Sequence, residues 1–409
     1  MEARKEFISG NEAVAIGAML ARPQVVSAYP ISPQTIVVEK LAEYVESGLM
    51  KNCSYIRVES EHSALAAVLG AVATGARTFT ATSSHGLMYM AEVLPFVSGS
   101  RFPVVMMNAN RALAVPWSIF TDQSDSMMLL NSGWLQVYVE DAQEALDMVI
   151  QSYRIAEDPA VMSPIMINLD GFVLTHTYEL VDIPAQAQVD KYLPPYKTGN
   201  KMSIDQPLGV CIGITPDLNT EFRYRQHVDQ LRNAPGVIAG ADREFGEVFG
   251  RSYGSQGGGL SEKYRCEDAE VVLVTLGSIS MTARTVVDKL RDAGRKVGLF
   301  KIRFMRPFPM QDLLSLGDQV KVLGVLDKNI SPGYEGTVFS QVNSALSRKA
   351  NPPRTMNYVG GLAGREITTR SLEKIFSEML GMIRDGKAEL PPDPNGRVKF
   401  INMRWEDHE

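Results

Sequence analysis

The chain has 409 residues, 45% of them apolar and 22% charged, with a net charge of −6. That length accommodates two or three domains with sizeable cores, and the composition is that of an ordinary soluble globular protein. An acidic balance without a basic block argues against nucleic acid as the main partner. Cys53, Cys211 and Cys266 form no C-x-x-C pair, which excludes a disulfide framework and any cysteine-ligated cluster built by this chain alone.

The histidines show no metal-ligand spacing, so no metal site is expected within the chain. No apolar run reaches transmembrane length and M-E-A-R-K-E-F is no signal peptide, so no membrane span and a reducing, cytoplasmic setting are expected.

In chain order, residues 9–22 predict a helix with Asn11 as its cap, and 25–29 a short strand. The strand runs into Pro30-Ile31-Ser32-Pro33-Gln34-Thr35, where two prolines force an extended turn before a helix over 36–47. Ligands bind at the carboxyl ends of strands in open α/β sheets. On its residues alone, a plain strand-to-helix connector is the preferred reading of this turn.

The stretch 55–86 has the sharpest pattern. Residues 55–58 predict a short buried strand, and Ser60 caps a helix that opens with Glu61 and His62. That helix is Ala, Gly, Val and Leu nearly all round, so it is expected to be buried. A strand over 77–82 ends in the small polar turn Ser83-Ser84-His85-Gly86. A carboxylate opening a buried helix needs a partner. On position alone, the favoured partner of Glu61 is the positive N-terminus of its own helix.

Helices are predicted over 88–99 and 141–158, and strands over 103–109, 133–139 and 164–170. Between them lies the loop 112–127, with Trp117, Phe120, Asp122 and Asp125, either a lid or a packed connector. Alternating elements of this length imply a parallel, doubly wound sheet covered on both faces. The Pro-rich residues 182–207 read as a long surface connection, and 208–265 carry little pattern. The run Gly257-Gly258-Gly259 suggests a mobile loop.

A second α/β unit follows, with strands over 271–277, 297–303, 320–327 and 356–360. Helices are predicted over 281–293, 337–350 and 368–382. The boundaries expected are 1–265, 266–385 and a C-terminal arm, 386–409, lying on another surface. No G-x-G-x-x-G follows the first strand, and Walker A and G-x-S-x-G are absent. An enzyme of this content has to share its active site with another chain.

Several motifs together resemble one family. They are Y-P-I-S-P-Q-T at 29–35, V-E-S-E-H-S-A at 58–64, T-A-T-S-S-H-G at 80–86, N-R-A-L at 110–113, P-W-S-I-F-T-D-Q-S-D at 116–125 and N-L-D-G-F at 168–172. The family is the 2-oxoacid:ferredoxin oxidoreductases, and the likeness is to the alpha subunit of the multi-subunit pyruvate enzyme. It continues more loosely through K-I-R-F-M-R-P-F-P at 301–309 and S-P-G-Y-E-G at 331–336.

The resemblance implies an α/β thiamine diphosphate-binding fold, supplying the aminopyrimidine side, followed by a transketolase C-terminal-like domain. It implies a beta subunit that holds the diphosphate and Mg²⁺ through Gly-Asp-Gly, a motif missing here. It also implies a gamma subunit, a ferredoxin-like subunit with 4Fe–4S clusters, CoA as co-substrate, and ferredoxin or another acceptor.

Glu61 matches the glutamate that hydrogen-bonds the aminopyrimidine, favouring the imino tautomer that removes the thiazolium C2 proton. Tyr29, Pro30 and Ile31 match the turn lining that ring. Ser32 stands where the pyruvate enzymes carry threonine and keeps its hydroxyl for the substrate. Arg111 matches the arginine that pairs with the substrate carboxylate; its plainer role is an ion pair with Asp122 or Asp125. Ser84 and His85 fall in a turn near the cofactor. His85 departs from the family's usual glutamine, and contact with cofactor, contact with partner and helix capping all stay open. Asp122 and Asp125 are expected to hold the 112–125 loop. The implied reaction is oxidative decarboxylation of pyruvate. The alternatives are the same chemistry on an aryl or branched-chain 2-oxoacid, or a non-catalytic scaffold.

Overall fold

The computed structural model describes residues 2–205, 207, 209, 215–254, 259–385 and 398–404. Its strands are β1 (Arg4–Ser9), β2 (Val25–Ser27), β3 (Ser54–Ile56), β4 (Thr78–Thr82), β5 (Val105–Asn110), β6 (Leu135–Tyr138), β7 (Ile165–Asp170) and β8 (Tyr178–Ile183). They continue with β9 (Ser261–Tyr264), β10 (Val271–Leu276), β11 (Val297–Ile302), β12 (Phe304–Arg306), β13 (Val322–Asp327), β14 (Arg354–Val359) and β15 (Val398–Phe400).

The first sheet has the order β12-β6-β7-β5-β4-β2-β3 and is parallel except for β12. Its central strands β4, β5 and β7 are buried at every position, as strands covered on both faces must be. Helices Gly10–Ala21 and Ala142–Ala156 cover one face, packing Val14, Leu146 and Val149 with Phe79 and Val105. Helices Glu61–Ala73, Ser84–Tyr89 and Leu94–Gly99 cover the other, with Leu65, Val68 and Leu94 against Met106 and Trp134.

The second sheet has the order β15-β14-β13-β10-β11-β9, parallel except for β9. Helix Thr337–Leu346 packs on one face, and helices Ile279–Asp292 and Thr369–Asp385 on the other. Both sheets are doubly wound α/β, as the alternation predicts. β1 and β8 form a separate antiparallel ribbon.

The sheets are interlocked. Strand β9 falls before residue 265 yet belongs to the second sheet, while β12 leaves β11 and adds to the edge of the first. Beneath this crossing, buried Lys301 and Arg303 both reach Glu144, at 2.8 and 2.7 Å. The motif at 301–309 is therefore the junction between the two sheets.

Several expectations need correction. The first helix is capped by Ser9, whose hydroxyl accepts from Glu12 N while Glu12 reaches back to Ser9 N; Asn11 is buried and donates to Pro33 O at 2.8 Å. The strand at 55–58 is not buried, because β3 is the sheet's edge. Helix Glu61–Ala73 is capped by Ser60 as expected, but it turns Ala66 and Gly70 to solvent. The helix expected over 88–99 is two short helices with a turn between them.

The connection at 182–207 is no simple crossing. It contains the end of β8 and helix Gln186–Tyr192, with Val189 and Tyr192 buried. Residues 208–265, which carry little pattern, include helices Pro216–Val228 and Ala234–Phe249. Cys211, Gly257, Gly258 and most of the C-terminal arm lie outside the described residues. Within that arm, β15 pairs in parallel with β14 and extends the second sheet.

Candidate active site

Strand β2 is followed in the chain by its outer neighbour β3, whereas β4 is followed by β5 on its other side. The crevice beyond the carboxyl ends of β2 and β4 is thus a topological switch point, where open α/β sheets bind ligands. The turn from Tyr29 to Gln34 leaves β2 here, and Ser83–Gly86 leaves β4. Buried Gln34 joins them, donating its amide to Tyr29 O at 2.8 Å and Ala81 O at 3.4 Å. Its Oε1 is buried without a partner among the described residues. Tyr29 and Ile31 are half-buried, while Pro30 and Ser32 are exposed.

Glu61 opens its helix beside this crevice and is 8% exposed. Its carboxylate makes no hydrogen bond or ion pair to another described residue. It lies against Gly86, where an added Cβ would stand 2.6 Å from Oε1 and 2.7 Å from Thr82 Oγ1. Gly86 is therefore held to hydrogen by the close approach of the acid rather than by its backbone angles.

Arg111 follows β5 and is 6% exposed. Its Nη1 donates to Ser32 O at 2.7 Å, its guanidinium lies 5.8 Å from the Trp117 ring centroid, and its Nε is buried without a partner among the described residues. Burial lowers its pKa, and the nearby charges of Asp125 and Glu61 oppose that. The expected alternative, an ion pair with Asp122 or Asp125, does not form among the described residues. It is the Arg111 backbone N–H, not the side chain, that donates to Asp125 Oδ2, at 3.1 Å.

Asp125 is the organising acid of this end of the sheet. Wholly buried, it accepts from Ser84 N (3.1 Å), Asn108 (3.3 Å), Asn110 (2.7 Å) and Ser126 N (2.8 Å) as well. Burial pushes its carboxyl up to about 6, against the lowering effect of those hydrogen bonds. Asp122 accepts from Ser124 N and Ala363 N, at 3.0 and 3.2 Å. Both acids hold the loop.

The turn after β4 is fastened to the same loop. Buried Ser84 donates its hydroxyl to Ala112 O at 2.8 Å, and exposed His85 accepts at Nε2 from Ala114 N at 2.8 Å. From the other side, Asp170 at the end of β7 accepts from Lys328 (2.6 Å), Thr121 (3.2 Å) and Ser278 N (2.9 Å). Burial raises the Asp170 carboxyl, but Lys328 and Ser278 outweigh it and hold it below the ordinary range. Sequence reasoning gave no role to Gln34, Thr82 or the Asp170–Lys328 pair, although Gln34 lies in Y-P-I-S-P-Q-T, Thr82 in T-A-T-S-S-H-G and Asp170 in N-L-D-G-F; no motif contains Lys328.

The chain's own groups fit an aminopyrimidine in this crevice. They offer a carboxylate with no competing hydrogen bond among the described residues, space where Gly86 lacks a side chain, and a turn fixed by Gln34. Among the described residues no group of side chains could hold a metal ion, and no helix is long and apolar enough to cross a membrane.

The family described as "Pyruvate flavodoxin/ferredoxin oxidoreductase, thiamine diP-bdg" matches residues 16–240, more than half of the chain. The chain belongs to the 2-oxoacid:ferredoxin oxidoreductases, as an alpha subunit. A second family, "Pyruvate:ferredoxin oxidoreductase core domain II", matches residues 269–372 of this alpha chain. It is 46% identical to pyruvate synthase subunit PorA of Methanothermobacter thermautotrophicus over 90% of its own length and 94% of that protein's. With ketoisovalerate oxidoreductase subunit VorA of Pyrococcus horikoshii it shares 44%, over 94% and 96%.

Among solved structures, the alpha chain overlays 2-oxoglutarate:ferredoxin oxidoreductase from Magnetococcus marinus with a TM-score of 0.69 at 20% identity. That match covers 92% of this chain and 65% of the other, longer one. A split-gene transketolase follows at 0.53 and 12%, covering 92% and 99%. Likenesses this distant speak for the fold alone, a thiamine diphosphate-enzyme fold with a transketolase C-terminal-like part.

Proposed function

We propose that this alpha chain serves the oxidative decarboxylation of pyruvate with CoA to acetyl-CoA and CO₂, two electrons passing to ferredoxin. The observation that carries the chemistry is the presence, in one crevice, of Glu61, which forms no hydrogen bond among the described residues, and the incompletely bonded guanidinium of Arg111. Glu61 hydrogen-bonds the aminopyrimidine ring and shares a proton with it. Thiamine diphosphate, when bound, supplies the electron sink for decarboxylation. Tyr29, Pro30 and Ile31 line the ring. Arg111 pairs with the substrate carboxylate, and the Ser32 hydroxyl hydrogen-bonds the same end. Ser84 and His85 act on the cofactor side through the 112–114 backbone they hold.

Neither residues 29–34 nor 112–120 contain a lysine or arginine. A single cation suits a monocarboxylate, and the relatives named for pyruvate and for ketoisovalerate both fit that class. A branched-chain substrate is the second reading, favoured by the likeness to a subunit named for ketoisovalerate. On this account residues 1–265 form the aminopyrimidine side, 266–385 the transketolase C-terminal-like part and 386–409 an arm, with β9 and β12 exchanged between the first two.

The diphosphate, Mg²⁺ and 4Fe–4S clusters belong to beta, gamma and ferredoxin-like partner subunits of a cytoplasmic complex. Support comes from the missing Gly-Asp-Gly motif, the scattered cysteines, and Val115, Trp117 and Phe120 standing half or more exposed at the mouth of the crevice. The chain purified alone is expected to be colourless, free of iron and without micromolar affinity for thiamine diphosphate, and partner subunits should restore binding. Stoichiometric iron, or micromolar binding by the chain alone, would contradict this division of labour.

A further inference from the structure

We propose that Thr82 is a positioning residue for Glu61, its hydroxyl fixing the carboxylate in the orientation that meets the cofactor ring. The inference rests on the role given to Glu61 above. Thr82 is the last residue of β4, fully buried, and its Oγ1 has no hydrogen-bond partner among the described residues. Buried hydroxyls are nearly always bonded, so an orphan beside an active-site acid asks for an explanation.

The neighbouring hydroxyls are already engaged: Ser83 Oγ donates to Ala109 O at 2.7 Å and Ser84 Oγ to Ala112 O at 2.8 Å. Thr78 and Thr80, on the same face of β4, are also unpartnered but lie farther back along the strand. Thr82 differs in its neighbour. Its Oγ1 and Glu61 Oε1 converge on the space left open at Gly86, within 2.7 and 2.6 Å of the point where a side chain would start. A small turn of the Glu61 carboxylate, of the kind that settling onto a ring nitrogen requires, brings one oxygen within donating distance of the hydroxyl. The branched Thr82 side chain is stiff at χ1, so it fixes direction as well as distance.

The test uses the reconstituted complex with Thr82→Val, Thr82→Ser and Thr82→Ala. Deuterium exchange at C2 of bound thiamine diphosphate is followed by acid quench and NMR, beside KM, kcat and the melting temperature. Thr82→Val is expected to slow exchange and kcat together by about 10–100-fold, the scale of one hydrogen bond to a charged group, with KM unchanged. Thr82→Ser should return exchange to near the wild-type rate, and Thr82→Ala, which removes the hydroxyl without adding bulk, should slow exchange on the same scale as Val. Melting temperature should not fall with Val, since it removes an unbonded hydroxyl. Glu61→Gln is run alongside. If it slows exchange while Thr82→Val does not, or if Ser and Val are equally slow, the positioning role is overturned and Glu61 keeps its own. If Glu61→Gln leaves exchange unchanged, both readings fall.

Discussion

Gly86 lies directly under the Glu61 carboxylate: a Cβ there would come 2.6 Å from Oε1 and 2.8 Å from Cγ. Gly70, in the middle of the helix that Glu61 opens, has nothing within 4 Å. Gly86→Ala is expected to push the carboxylate out of place and remove most turnover, while the complex still assembles. Gly70→Ala should instead stabilise the chain by about 0.5–1 kcal/mol, the helix-propensity difference, and leave turnover alone. Steady-state rates and urea unfolding of the two variants check the contrast. Equal turnover in both would mean that Glu61 does not need its observed position.

Glu61→Gln is nearly isosteric but cannot take up a proton and share it. Turnover is expected to fall by about 10²–10⁴-fold, as for loss of a general acid–base group, with subunit assembly intact by sedimentation. A loss below 10-fold would return Glu61 to the role of an acid at its helix N-terminus.

Arg111→Lys tests the fork. The guanidinium already donates Nη1 to Ser32 O, and an ammonium cannot serve that carbonyl and a carboxylate in paired geometry. KM for the 2-oxoacid is expected to rise by about 10-fold or more, with a smaller change in kcat. An unchanged KM would place the substrate carboxylate elsewhere.

Asp125 supplies a pH dependence whose sign is fixed. Its folded pKa is raised from 3.8 to about 6, chiefly by burial. On acidification the folded chain therefore takes up the proton first, so this residue favours folding at low pH and costs stability as pH rises through about 4 to 6. Asp125→Asn removes that dependence. Its destabilising effect is expected to be about 2 kcal/mol larger near pH 4.5 than near pH 7.5, measured by urea unfolding at both. An effect equal at the two pH values would show that Asp125 stays ionised in the folded chain throughout.

The parts that sequence made visible are local ones. Ser60 caps the Glu61 helix within three residues, and the prolines at 30 and 33 mark the turn after β2 by their own stereochemistry. What stayed hidden depends on residues far apart in the chain. Asp170 meets Lys328 across 158 positions, and Lys301 and Arg303 meet Glu144 across more than 150. Nothing in the spacing of one element announces such a partner. Helix Pro216–Val228 escaped for another reason: none of its residues is buried, so it has no apolar stripe to read. The cap of the first helix was misplaced by two residues because Ser9 and Asn11 are both good capping types, and only the reach of Glu12 back to Ser9 separates them.

The most direct test of the account is the substrate profile of the native complex, purified anaerobically and assayed with CoA and ferredoxin before and after removal of thiamine diphosphate. Pyruvate, 2-oxoisovalerate, phenylglyoxylate and 2-oxoglutarate are compared by kcat/KM. The highest value is expected for pyruvate, a lower one for 2-oxoisovalerate, little for 2-oxoglutarate, and loss of all activity without the cofactor. A preference for 2-oxoglutarate, or turnover that survives cofactor removal, would contradict it.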